Sequence, residues 1–401
     1  MRINGSARGH AEPSRLRASR FGAKWTGLSA EARDAFAFER RRRPRRQWKN
    51  VGVLPLAAIL LATVNACGGA APEKPAPEPV VELPALAIYV TNEASGDLTI
   101  IDGTKNTALA TIPLGKRPRG IAVSPDRKFL YVALSGSPVA GPGVDESKLP
   151  PPDRSADGIG VVDIAQRKLV RVLESGTDPE QVAVSADGRQ LFVANEDAAV
   201  MSVVDPTSGK VLRTYKVGEE PEGVSVHPRN GHVYVTSEDA GAVFVVDPSA
   251  ERVLASIEVG PRPRSIAFLP DGSKAYVTNE NGAAVTVIDT AKLVVTKTVA
   301  LGDGMRPMGA VAAPDGAFVY VSTGRSRMVQ IIDAKTDAVV GSVEVGTRPW
   351  GIAISPDGKT IYTANGPSND VSVVDVASRK VTGKIQAARG PWGIVAVAAA
   401  R

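Results

Sequence analysis

The chain has a single cysteine in 401 residues, Cys67, so no disulfide can form within it and the fold rests on packing alone. Histidine is nearly as scarce, with three in all, and Cys-x-x-Cys-His is absent, which excludes covalently attached haem. Aromatic residues make up 5%, too few for the base-stacking platforms of a single-strand nucleic-acid surface. The apolar stretch 51–66 is 16 residues long and carries Pro55, short of the roughly 20 residues a membrane-spanning helix needs. There is no Gly-x-Ser-x-Gly elbow and no phosphate-binding glycine loop followed by a helix. No part of the repeat described below keeps a helical period over three turns.

Charge is abundant but unevenly placed. Residues 1–66 hold 14 Lys and Arg against 4 Asp and Glu, so the overall net charge of +6 divides into +10 for this leader and −4 for the remainder. The basic balance therefore does not mark a nucleic-acid partner. A dense basic run at 40–49, the short apolar stretch and the small residues after it read as a basic extension plus signal peptide over 1–66. Val64-Asn65-Ala66-Cys67 resembles the lipobox of bacterial lipoproteins. That resemblance implies lipidation at Cys67, a membrane link through it, and a cell-envelope location on the periplasmic or outer-surface side. An ordinary cleaved signal and an uncleaved anchor are the alternatives. Residues 67–85 then form a Pro-rich, extended tether.

What the chain does have is one motif seven times over. An apolar strand begins at Tyr89, Tyr131, Phe192, Tyr234, Tyr276, Tyr320 and Tyr362. A β-branched run closes at Asp102, Asp163, Asp205, Asp247, Asp289, Asp333 and Asp375, at intervals of 61, 42, 42, 42, 44 and 42. A Gly-x-x-Pro-like loop follows, with Pro118, Pro179, Pro221, Pro263, Pro307, Pro349 and Pro391. The copy at 349–386 divides into four short strands, 351–355, 360–364, 371–374 and a ladder through Val381 and Ile385, with a Pro356-Asp357-Gly358 turn. Seven four-stranded units of this period predict an all-β, seven-bladed β-propeller over 86–399. The chain enters the repeat on a second strand and leaves on a first strand, so the C-terminal strand is expected to join the N-terminal strands and close the ring, removing a free edge.

Tyr89-Val90-Thr91-Asn92 and Tyr276-Val277-Thr278-Asn279 are tetrads of a known kind. Residues 115–124, Asp178-Pro179-Glu180, Glu220-Pro221-Glu222-Gly223, Arg262-Pro263-Arg264 and 366–373 extend the pattern. On these residues the chain resembles the YVTN-type β-propeller repeat family, closest to propellers associated with quinoprotein (PQQ)-dependent catabolism. The resemblance implies an accessory role in periplasmic quinoprotein-linked oxidation; related propellers include redox-enzyme subunits and surface-layer proteins.

A residue used seven times is first a structural residue, and the strand-closing and turn aspartates read as caps of backbone donors. His227 and His232 flank one turn and read as a surface turn, so no metal ligands are expected from histidine. The informative positions are where the loops differ. They should ring the mouth of the central channel, with Lys116, Arg117, Arg119, Arg262, Arg264, Arg306, Arg348 and Arg389 on one arc. Asp178, Glu180, Glu219, Glu220 and Glu222 form the other, with Glu196, Asp197, Glu238 and Asp239 next to it. Opposed arcs would orient a protein or a small anionic ligand. Trp350 and Trp392 read either as anchors at the mouth or as packed on their own prolines. An insertion at 135–157, rich in Pro and Gly, is expected as a long loop over or beside the mouth. No catalytic residues and no cofactor are expected, and the chain reads as a non-enzymatic envelope binding or scaffold protein. The alternatives are a metal-assisted lactone hydrolase, for which Ca2+ is the expected ion, a redox-enzyme subunit with its site at the channel mouth, or a surface-layer protein.

Overall fold

The structure, a computed structural model, describes residues 83–139 and 148–399. Its twenty-eight strands form seven four-stranded antiparallel sheets. The chain starts with β1 Leu86–Asn92, β2 Asp97–Asp102 and β3 Thr107–Pro113. The innermost strands of the blades are β4 Pro118–Val123, β8 Pro179–Val184, β12 Pro221–Val226, β16 Pro263–Phe268, β20 Pro307–Ala312, β24 Pro349–Ile354 and β28 Pro391–Ala398. The last, β28, pairs antiparallel with β1, from Leu86 opposite Ala398 to Asn92 opposite Pro391. One blade is thus β28-β1-β2-β3, and the ring closes as the phase of its ends requires.

The burial pattern follows from each strand's place. Second strands are sandwiched between blades and are buried on both faces, as in β1. Outer strands are exposed at most positions, and β3 at all but two. The core is therefore divided into clusters between blades. One joins Tyr362, Val371 and Ile385 of one blade to Ile88, Val90, Ile101 and Ile394 of the next. All seven Tyr or Phe residues that open the second strands are buried.

The tetrad earns its repetition by joining blades. Thr91 Oγ1 accepts from Gly393 N at 2.8 Å and donates to Arg119 O in the next blade at 2.7 Å. Thr278 links Ser265 N to Met308 O, and Ser322 links Gly309 N to Trp350 O. Thr236 likewise accepts from Gly223 N and reaches Arg264 O at 3.4 Å. The tetrad Asn turns inward on its own hairpin, as Asn279 Nδ2 donates to Thr286 Oγ1 at 2.9 Å. The closing aspartates cap turns: Asp102 Oδ1 accepts from Thr104 N, Thr104 Oγ1 and Lys105 N.

His227 departs from expectation. It is buried, with its ring edge-on to Phe268 at 5.2 Å. Its Nδ1 accepts from Arg229 N and Asn230 N, and Nε2 meets Gly272 O of the neighbouring blade at 2.9 Å. It staples two blades rather than decorating a surface turn.

Candidate active site at the channel mouth

The site is built by the residue that follows each loop proline. Around the ring these are Arg119, Glu180, Glu222, Arg264, Met308, Trp350 and Trp392. An irregularity in register just after the proline lets each inner strand pivot there before normal pairing resumes. Four of the seven backbone carbonyls at this position receive the tetrad hydroxyls described above. Neighbouring blades also approach closely: a Cβ at Gly223, Gly309, Gly351 or Gly393 would lie under 3 Å from the next blade's carbonyl at this level. The residue before the proline adopts a left-handed φ at Arg117, Asp178, Glu220, Arg262 and Arg348, between 39° and 57°.

These side chains meet across the channel. Arg119 pairs with Glu180, and Arg264 Nη1 lies 2.7 Å from Glu222 Oε2. Trp350 and Trp392 stack at 5.8 Å with 23° between their planes. The Arg119 guanidinium lies 5.1 Å from the Trp392 ring centre and Arg264 lies 5.7 Å from that of Trp350. The contacts form a chain, Glu180–Arg119–Trp392–Trp350–Arg264–Glu222, which divides a lower channel cavity of about 450 Å³ from a mouth cavity of about 860 Å³.

A second tier comes from the loops after the tetrads. Glu93, Glu196, Glu238 and Glu280 stand there, with Ser135, Gly324 and Gly366 in the other blades. Arg117 Nη2 pairs with Glu93 at 3.0 Å, Arg262 Nε with Glu238 at 2.7 Å, and Arg264 Nε with Glu280 at 2.8 Å. Asp178, Glu180 and Glu196 converge so that one oxygen from each lies within 4.8 Å of the others. Glu180 is fully buried and, although Arg119 abuts it, neither carboxylate oxygen accepts a hydrogen bond of regular geometry. A cluster of three carboxylates offers the hard oxygen donors that Ca2+, Mg2+ or Mn2+ take, so these residues fit a divalent cation.

Comparison with known proteins settles the family. The model of the family described as "Lactonase, 7-bladed beta-propeller" matches residues 84–228 and 224–391. The chain belongs to the Lactonase family. Among solved structures, hydrazine synthase of Kuenenia stuttgartiensis is similar at a TM-score of 0.63 and 23% identity, over 73% of this chain and 92% of that one. A protein of unknown function from Desulfotomaculum acetoxidans gives 0.63 and 18%, over 77% and 98%. A Bacteroides uniformis protein provisionally described as a 6-phosphogluconolactonase gives 0.62 and 19%, over 78% and 99%. At these identities the likeness concerns the fold. No curated protein matches the chain.

The family match corrects the YVTN-type identity and the PQQ association. The physical reason is visible in the tetrads: their hydroxyls and amides serve hydrogen bonds between and within blades, so they mark blade geometry rather than a functional group of propellers. The expectation of a non-enzymatic scaffold is also overturned, because the chain belongs to the Lactonase family and gathers a cluster of three carboxylates at its mouth. Ca2+, expected only for the lactone-hydrolase alternative, now has a compatible cluster. A lipid-anchored identity gains no footing from a match that begins at residue 84, and Cys67 lies outside the described residues.

The lactonase-family ring also rearranges the expected charge pattern. The basic and acidic arcs interleave as ion pairs, Arg119 with Glu180 and Arg264 with Glu222 within the first tier and Arg262 with Glu238 between the tiers. The half-buried Arg306 contacts Asn281, the half-buried Arg348 lies 4.9 Å from the centre of the Trp350 ring, and the exposed Arg389 lines the mouth cavity with Glu220. The tryptophans pack on each other, and Trp392 is 8% exposed. The insertion lies at the mouth: Ser137, Pro138, Val139, Leu149, Pro150, Pro151, Pro152 and Arg154 line the cavity, and a short 3-10 turn spans Arg154–Ala156. The triad was hidden in the sequence because its members come from different loops. Asp178-Pro179-Glu180 carried part of the signal, two acids flanking a loop proline as at Glu220-Pro221-Glu222, where two other repeats place arginine on both sides.

Burial sets the proton chemistry. It pushes the Glu196 carboxyl up to about 7, against Arg119 and with help from Glu222 and Asp178. It pushes Glu238 up to about 9, with Glu222 adding to the rise and Arg264 and Arg262 opposing it. Burial also acts to raise Glu222, but Arg264 and Arg119 outweigh it and hold that carboxyl below its ordinary range.

Proposed function

We propose that this chain hydrolyses an anionic lactone at the channel mouth, with a divalent cation held by Asp178, Glu180 and Glu196. The observation that carries the reading is the convergence of the buried Glu180 carboxylate with Asp178 and Glu196 in a Lactonase-family ring. A bound divalent cation supplies Lewis-acid polarisation of an ester carbonyl. Glu196 faces the mouth cavity and completes the three-carboxylate set that would hold the cation. Arg119 offsets part of the negative charge when Glu180 is ionised. Arg348 and Arg389, beside Trp350, provide positive charge on the other side of the mouth to orient an anionic substrate. The basic run at 40–49 and the apolar stretch 51–66 support a cell-envelope location for this activity.

The test is ring opening of five- and six-membered lactones, with and without a carboxylate or phosphate, in chelator and in Ca2+, Mg2+ or Mn2+. Cation-dependent turnover that is lost in Glu180→Gln is expected. Absence of turnover for every lactone with every cation would sink the reading.

A further inference from the structure

Asp178 is held from two directions by the base of the insertion. Ser135, fully buried at the insertion's start, donates from Oγ to Asp178 Oδ1 and accepts the Ser137 N–H at 3.1 Å. Asp157, at its end, has a side chain only 3% exposed. Its Oδ2 accepts the Asp178 N–H at 3.1 Å and its Oδ1 accepts the Gly136 N–H at 2.7 Å. The two ends are drawn together, as Asp153 N–H donates to Gly136 O at 2.9 Å. A side chain at Gly136 would collide with the Asp153 carbonyl, so the approach requires glycine. Asp178 itself sits at φ 52°, the left-handed conformation that the equivalent Arg117, Glu220, Arg262 and Arg348 also adopt, so only its side-chain and N–H partners are particular to the insertion.

We propose that Asp157 and Ser135 are positioning residues for the cation cluster, and that the base of the insertion fixes the backbone and carboxylate of Asp178 so that it faces Glu180 and Glu196. The inference rests on the cation reading of the site. It gives the 61-residue interval a function: the chain departs from its 42-residue period in the blade whose loop ends reach Asp178. Partners that orient metal ligands through hydrogen bonds typically change metal affinity by about 10- to 100-fold when removed.

The test is calorimetric titration of the full chain with Ca2+ and with Mn2+, alongside the cation-free melting temperature. Asp157→Asn, whose amide oxygen cannot replace both acceptors, and Ser135→Ala should each weaken binding by about 10-fold or more. Arg154→Ala cuts the insertion's outer ion pairs to Asp157 and Asp197 and leaves both hydrogen bonds to Asp178 in place. It should bind the cation no more weakly than the parent, whereas a merely structural role for the insertion would weaken all three. If Asp157→Asn fails to fold, Ser135→Ala carries the test. Parental affinity in Ser135→Ala and in any folded Asp157→Asn, with binding lost in Asp178→Asn, overturns this inference and leaves the cation site standing. A parent chain that binds neither ion overturns both.

Discussion

Replacing Arg119 with methionine should expose how the mouth balances its charge. The Arg119 side chain is 8% exposed and that of Glu180 is fully buried, so the pair is shielded from water. Arg119 also lies 3.8 Å from Glu93 and 4.0 Å from Glu196, and over the Trp392 ring. Removing one member of a buried pair typically costs about 3–5 kcal/mol, because the other charge is left uncompensated. For a ring of this length the average unfolding entropy per residue makes 1 kcal/mol worth about 1.5 °C. Arg119→Met should therefore lower the melting temperature by about 5–8 °C in chelator, followed by far-ultraviolet circular dichroism. Adding Glu180→Gln removes the stranded charge and should restore most of that loss, a coupling that a double-mutant cycle isolates. Divalent cation should stabilise Arg119→Met more than the parent, because its cluster has lost a competing positive charge. A fall of no more than about 1.5 °C, or a double variant as unstable as Arg119→Met alone, would refute the account.

Three further outcomes follow from the same contacts. Glu238 has a folded-state pKa raised to about 9, so the stability it contributes is complete below the ordinary carboxyl range and is lost as pH rises through that value. Relative to the parent, Glu238→Gln should gain melting temperature steadily from about pH 5 to about pH 9, and a pH-independent difference would count against the assignment. Burial holds His227 below its ordinary pKa, so its contribution is present above the histidine range and is lost as pH falls. His227→Ser, which places the residue found at the equivalent Ser124, Ser185 and Ser355, should give a shallower acid-side fall in melting temperature; equal slopes would contradict this. Removing residues 391–401 deletes β28 and leaves β1 with a bare edge, so loss of the cooperative transition and self-association by light scattering are expected. A monomer melting like the parent would show that closure is dispensable.

The ring was legible in the sequence because every determinant of a blade is local and repeated. The run-closing aspartates cap turns a few residues away, and the strand at 349–354 begins at the loop proline that the repeat displays. His227 was misread because its partners, Phe268 and Gly272, lie in the neighbouring blade, where a sequence turn gives no sign of them. The charged arcs were visible as residues but not as pairs. Arg119 and Glu180 are 61 positions apart and become neighbours only when two blades abut. The acidic triad was missed for a related reason: a search keyed to histidine overlooks carboxylates, and Glu196 enters from a different loop than Asp178 and Glu180.

The division of labour around the mouth follows from what each tier contributes. The acidic blades are neutralised from their neighbours: Arg119 pairs with Glu180 of the following blade, and Arg264 pairs with Glu222 and Glu238 of the preceding one. Where the second tier becomes Gly324 and Gly366, the first tier is Met308 and Trp350, and no carboxylate stands above them. A Cβ at Gly366 would lie 3.4 Å from the Trp350 ring, so glycine there keeps open the side of the mouth that Arg348 borders. The ring thus combines a packed charged half with a more open aromatic half, joined by the Trp350–Trp392 stack. Arg119 links the halves, paired with Glu180 on one side and lying over Trp392 on the other. A change on either half that moves the Trp392 ring is transmitted to the carboxylate cluster through one guanidinium.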